Sequence, residues 1–190
     1  MELFFDTETS GFRNSTKPNE SWIVQIAAIL SDEERVYGSI NYLIKADGRT
    51  IHPKAEELHG ISIEMADKYG MPELFVSGAF TLLSRHADIL VCHNIGFDLP
   101  FVLDILQRTN VKTNILSKRK FCTMLESTDI CQLPGRSSRL FKWPRLEELY
   151  NFCFDEELVG AHDAMVDVVA TRRCYYHLRK NHYIDGDRKE

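Results

Sequence analysis

Apolar positions along this chain fall into short solid runs in some places and into a three-to-four-residue rhythm in others. Leu3-Phe4-Phe5, leading into Asp6, is a solid run that predicts a buried strand ending in polar residues. Trp22 to Leu30 is β-branched and apolar enough for a second strand, and Val36 to Ile44 for a third. A polar turn at 32–34 joins the last two as a hairpin. The rhythm then changes. Ser62 to Lys68 has a capping residue followed by helix formers, and Pro72 to His86 opens on proline and carries Leu74, Phe75, Phe80, Leu82 and Leu83 at helical spacing. Asp88 to Cys92 is a short apolar strand. Gly96 to Thr109 is helical, with Phe97, Phe101, Val102, Ile105 and Leu106 inward. A short strand at Phe121-Cys122 precedes a helix to about Cys131, residues 133–143 are a loop with turn signals, and Pro144 opens a helix to Phe152. His162 to Lys180 is the last long helix. Three antiparallel strands followed by alternating helices and strands predict an α/β mixed sheet with helices on both faces.

Composition changes this picture little. A chain of 190 residues, 44% hydrophobic and 27% charged, fits one domain, expected over 1–184, with a charged and frayed tail at 185–190. No apolar run approaches the roughly 20 residues that span a bilayer, so no membrane partner is expected. The first strand begins at residue 2 without a basic leader, so no signal peptide is expected. Five cysteines without CxxC spacing predict reduced thiols in a cytoplasmic protein.

Charge is more informative in its distribution than in its sum. The net value is −5, yet the segment Arg108 to Arg145 carries nine basic residues and two acids. That segment is either a solvated surface or a phosphate-facing flank.

The candidate chemistry lies at strand ends. Asp6 and Glu8, two apart on a strand, project to one face. Asp98 falls in the first turn of a helix just after a buried strand. There an acid favours the helix dipole, while Asn94 can cap the helix and Phe97 anchor it. Asp167 is surrounded by Met165, Val166, Val168, Val169 and Ala170, where a carboxylate needs a partner. His162 lies five residues earlier, at the helix start, and Asp163 should turn to another face. Divalent cations are natural partners for buried carboxylates. Phosphodiester hydrolysis uses two metals about 4 Å apart to neutralise phosphoryl oxygens and lower the pKa of a water. An imidazole titrating near 6.5 when unperturbed suits the proton transfer.

Asp6-Thr7-Glu8-Thr9-Ser10-Gly11, His93-Asn94-Ile95-Gly96-Phe97-Asp98 and His162-Asp163-Ala164-Met165-Val166-Asp167 together resemble, in order and spacing, the three motifs of the DEDDh (DnaQ-like) 3′→5′ exonucleases. This group includes the proofreading epsilon subunit of DNA polymerase III, RNase T and oligoribonuclease. The resemblance implies a ribonuclease H-like five-stranded mixed sheet. It also implies two Mg2+ or Mn2+ ions held by Asp6, Glu8, Asp98 and Asp167, with His162 as general base. It further implies that Thr7, Thr9 and Ser10 lie along the terminal nucleotide, with Asn94 and Phe97 beside it. Phe12 would pack on the terminal base or simply fill its loop, and His59, in Leu58-His59-Gly60-Ile61, would contact the substrate. The expected activity is release of nucleoside monophosphates from DNA 3′ ends, single strands preferred. The alternatives are an exoribonuclease like RNase T or oligoribonuclease and, less favoured, an inert nucleic-acid-binding module. The loop at 13–21 is longer than usual in this family. The C-terminal extension of the epsilon subunit is missing, so a stand-alone exonuclease or small assembly partner is expected. A polymerase or a second copy as partner is left open.

Overall fold

The computed structural model describes residues 1–13, 21–135 and 141–184. The greater part of the loop at 13–21, the turn signals and arginines at 136–139, and the tail at 185–190 lie outside the described residues.

Strand β1 (Glu2–Thr9) is central and longer than its apolar run suggested, so Asp6 and Glu8 lie within it. It pairs antiparallel with β2 (Ile23–Ser31), which pairs antiparallel with β3 (Val36–Leu43). Helices α1 (Pro53–His59), α2 (Ile63–Tyr69) and α3 (Glu73–Arg85) follow, then strand β4 (Ile89–Cys92) and helix α4 (Ile95–Arg108). A short 3-10 turn leads into β5 (Arg119–Cys122), two single-turn helices α5 (Thr123–Glu126) and α6 (Thr128–Cys131), then α7 (Leu146–Phe154) and α8 (Ala164–Lys180). The sheet order is β3-β2-β1-β4-β5, with β4 parallel to β1 and β5 parallel to β4. This is the mixed five-stranded sheet expected.

Alternation along β1 decides what lies on each face. Leu3 and Phe5 enter the larger core with Phe80 of α3 and Phe101, Val102 and Ile105 of α4. Phe4 faces the other way, against Tyr175 and Tyr176 of α8 at 5.4 and 5.5 Å between ring centroids. Helices therefore cover both faces. The register of β1 against β2 shifts between Glu8 and Thr9. A bulge there bends the strand just where its acidic residues end.

Four expectations need correction. Helix α1 went unpredicted because it buries no residue and shows no apolar periodicity. The last helix begins at Ala164, not at His162; Asp163 is its cap and accepts from the Met165 and Val166 amides at 2.9 and 3.3 Å. Asn94 stands at the cap position of α4, but in a left-handed conformation (φ 68°) that leaves its side chain without a capping bond. The phosphate-facing flank contracts. Arg108 pairs with Glu73 at 2.9 Å, Lys118 donates to the Ala87 carbonyl at 2.6 Å, and Lys120 donates to the Leu116 and Lys118 carbonyls. Of the segment's basic residues within the described chain, only Arg145 lines the cleft.

Candidate active site

A cleft of about 1280 Å³ opens at the end of β1, between α1, the start of α4 and the chain leading into α7 and α8. All twelve residues singled out from the sequence line it: Asp6, Thr7, Glu8, Thr9, Ser10, Phe12, His59, Asn94, Phe97, Asp98, His162 and Asp167.

The carboxylates group in two sets. Donor atoms of Glu8, His162 and Asp167 lie within 4.8 Å of one another, as do those of Asp6, Cys92 and Asp98. Asp98 is held tightly. Its Oδ1 accepts from the Thr7 amide (3.0 Å) and the Thr7 hydroxyl (2.6 Å), and its Oδ2 from the Cys92 thiol (3.2 Å). Asp167 Oδ2 accepts from the His162 main-chain amide at 3.1 Å, while its Oδ1 is buried without a hydrogen-bond partner. His162 is left-handed, with φ 69°. For a side-chain-bearing residue this conformation costs on the order of 1–2 kcal/mol. It lets the residue preceding the helix turn its amide onto Asp167.

Electrostatics follow from this packing. Desolvation raises the Asp6 carboxyl well above its ordinary range, and Asp98, Asp167 and Glu8 raise it further. Burial, then Asp167 and Asp98, push Glu8 up to about 8. Asp98 rises to about 6 through burial, against the pull of its Thr7 and Cys92 bonds. Asp167 also rises to about 6 through burial, opposed by the His162 amide. Among the described residues none of the four has a lysine or arginine at salt-bridge distance. Four converging carboxylates, one with an orphaned buried oxygen, form a donor set suited to hard divalent cations.

The surrounding residues are placed as follows. Thr9 Oγ1 donates to the Gly11 carbonyl (3.1 Å), and Ser10 Oγ accepts from the Trp22 amide (3.0 Å), which shapes the turn out of β1. Phe12 is 90% exposed, against only an edge contact with Phe97 at 6.4 Å between centroids. Such exposure does not fit a ring that fills its loop. His59 Nδ1 accepts from the Ile61 amide (3.0 Å), so in the neutral ring the proton sits on Nε2, which is buried and unpartnered. Burial lowers its pKa. His93, half-buried and pushed down to about 4 by desolvation, is neutral. Its Nε2–H donates to the Pro144 carbonyl (3.1 Å), and its Nδ1 accepts from the Thr123 hydroxyl (3.0 Å).

Two features escaped sequence reasoning. Cys92 touches the acidic cluster, a contact no spacing rule signals. The segment Trp143-Pro144-Arg145 forms a wall of the cleft; Arg145 belongs to the basic segment read from the sequence, whereas Trp143 carried no signal there.

The family model described as exonuclease, of the RNase T type, matches residues 3–175. The chain belongs to this exonuclease family. It is similar to the DNA polymerase III epsilon subunit of Escherichia coli, 30% identical over 146 residues, covering 73% of this chain and 57% of that protein. It is similar to Ribonuclease T of Haemophilus influenzae, 29% identical over 126 residues, covering 59% of this chain and 53% of that one. The chain thus spans somewhat more than half the length of these curated relatives. Among solved structures, E. coli exonuclease I in complex with a dA16 oligonucleotide superposes with a TM-score of 0.77 at 25% identity, over 94% of this chain and 40% of that one. The fold is accordingly the ribonuclease H-like one. No helix among the described residues is long and apolar enough to cross a membrane.

Proposed function

We propose that this chain hydrolyses nucleic acid from the 3′ end, releasing nucleoside monophosphates, with DNA single strands as the preferred substrate. The observation that carries the reading is the convergence of Asp6, Glu8, Asp98 and Asp167 beside His162 on the floor of one cleft, with no basic partner among the described residues. Two Mg2+ or Mn2+ ions fit these donors, and when bound such ions neutralise phosphoryl oxygens and acidify a water. The four acids hold that charge in place. Thr7 and Cys92 fix the orientation of Asp98. His162, tethered through its main chain to Asp167, takes the proton of the attacking water at its imidazole. His59 offers its Nε2–H, and Asn94, with no capping bond, its amide, to the terminal nucleotide. Thr9 and Ser10 lie along that nucleotide. Phe12, steadied by Phe97, stacks on its base.

The DNA preference is supported by the likeness to an exonuclease I bound to a deoxyoligonucleotide. The runner-up, RNA, is supported by the Ribonuclease T relatives. We read residues 1–184 as one exonuclease domain. Five unpaired cysteines suit the reducing cytoplasm. Since one relative is by name a polymerase subunit, a polymerase is the protein partner to test first.

The decisive experiment digests matched 5′-labelled and 3′-labelled DNA and RNA with manganese or with chelator. A ladder from the 5′-labelled strand and immediate loss of the 3′ label, both abolished by chelator, are expected. Cleavage in chelator, or of closed circles, refutes the reading.

A further inference from the structure

Trp143 is 64% exposed, yet the backbone that carries it is pinned from several sides. The Lys142 amide donates to the Leu133 carbonyl at 3.0 Å, and the Lys142 side chain pairs with Glu148. The Pro144 carbonyl is held by His93, the residue that opens the second acidic motif. The Arg145 amide donates to Glu148 Oε2 at 2.8 Å. The chain thus holds a large planar apolar ring in water, on a rigid wall of the cleft, with a guanidinium two residues on. A flat aromatic face beside a basic side chain is the combination that binds a base through its π-face and the adjoining phosphate through charge. The terminal base is taken by Phe12, which enters the cleft from the turn after β1. Trp143 enters from the separate chain segment before α7.

We propose that Trp143 and Arg145 form a second subsite that stacks a base upstream of the terminal nucleotide and pairs with its phosphate. His93 acts as the positioning residue that ties this wall to the acidic floor. This inference rests on the proposed nucleic-acid substrate.

Fluorescence can test it directly, because the chain has only two tryptophans. Trp22 is 1% exposed, lies under the Arg49 guanidinium at 4.2 Å, and donates its indole N–H to the Thr50 carbonyl. Trp143 is the one a ligand can reach. The full-length protein is titrated in magnesium with a mononucleotide and with phosphorothioate-protected oligonucleotides of increasing length, and binding is followed in parallel by anisotropy of a 5′-labelled oligonucleotide. The mononucleotide should leave tryptophan emission unchanged, whereas oligonucleotides long enough to reach the wall should quench it. Trp143→Phe should abolish the quenching while keeping most of the affinity. Trp143→Ala should raise the oligonucleotide Kd roughly 5- to 150-fold, the usual worth of one stacked base, without changing the mononucleotide Kd. The subsite is overturned if the parent binds oligonucleotide with no change in emission, or if Trp143→Ala binds it as the parent does. Failure of the parent to bind DNA or RNA of any length would overturn the substrate reading, and this subsite with it.

Discussion

Glu8→Gln isolates the energetic cost of gathering four carboxylates in one cleft. Burial, then the charges of Asp167 and Asp98, push the Glu8 carboxyl up to about 8 from an ordinary value of 4.5. A group whose pKa rises on folding binds its proton more tightly in the folded chain than in the unfolded one. Its contribution to stability is therefore fully present in acid, below the unfolded value, and is lost as pH climbs through about 8. At about 1.36 kcal/mol per pH unit, the raised Glu8 carboxyl costs the fold about 3 kcal/mol at pH 7, where the folded chain still holds its proton, and about 5 kcal/mol at pH 9, where it is ionised and no cation compensates. Glutamine keeps the shape and removes the charge. In chelator, Glu8→Gln should thus match the parent near pH 4 and exceed it by that margin at pH 9. For a chain of this size, 1 kcal/mol moves Tm by about 2–4 °C, so the gain at pH 9 should be on the order of 10 °C. A divalent ion should narrow the gap. The parent gains about 2.7 kcal/mol at an ion concentration of about 100 times Kd, and the variant, one donor short, gains less. Thermal melts by circular dichroism at several pH values, with chelator or with manganese, read all of this. A variant whose advantage in chelator does not grow with pH would refute the account of the cluster.

Three further predictions follow from the same geometry. His162→Ala should keep manganese binding, measured by calorimetry, and lose about 10²- to 10⁴-fold in kcat; near-normal turnover at pH 8 would remove His162 from the role of base. Phe12→Ala should raise KM roughly 5- to 100-fold for all four terminal bases. Its melting temperature should stay unchanged, since the ring is already 90% exposed; lower stability with unchanged kinetics would assign Phe12 to the fold. Cys92→Ala removes the thiol that donates to Asp98 Oδ2. It should weaken manganese binding about 10-fold, as losses of groups that orient metal ligands do; an unchanged calorimetric Kd would show that Thr7 alone orients Asp98.

The strands were legible because their side chains alternate between two buried faces. Leu3 and Phe5 meet one layer of helices and Phe4 the other, so the run from residue 3 to 5 had to be solid rather than alternating. Helices α3, α4 and α8 each bury a stripe and carry the helical rhythm. Helix α1 does not, since it borders the cleft and only the small Ala55 leans on the core, and periodicity is silent there. The acids were legible for a related reason. Each follows or interrupts an apolar run, and burial raises the pKa of all four.

What the sequence left hidden is contact between segments. Alternation places Thr7 on the face opposite Asp6 and Glu8, which argues against a place in the acidic cluster. Yet helix α4 packs on that opposite face, so the Thr7 hydroxyl meets Asp98. Cys92 reads as one more apolar residue of a buried strand until α4 swings Asp98 back over its thiol. The basic segment shows the converse. Its excess positive charge is real, but Arg108, Lys118 and Lys120 are committed to Glu73 and to backbone carbonyls away from the cleft. Arg145 reaches the cleft because the chain before α7 is drawn to the second motif by the bond from His93 to the Pro144 carbonyl. That single imidazole links the second acidic motif to the Trp143-Pro144-Arg145 wall of the cleft. His93 thus has a physical role distinct from proton transfer, the tie from its Nε2–H to the segment before α7. At a pKa near 4 the ring is neutral throughout the range, between about 6 and 8, in which Glu8, Asp98 and Asp167 ionise.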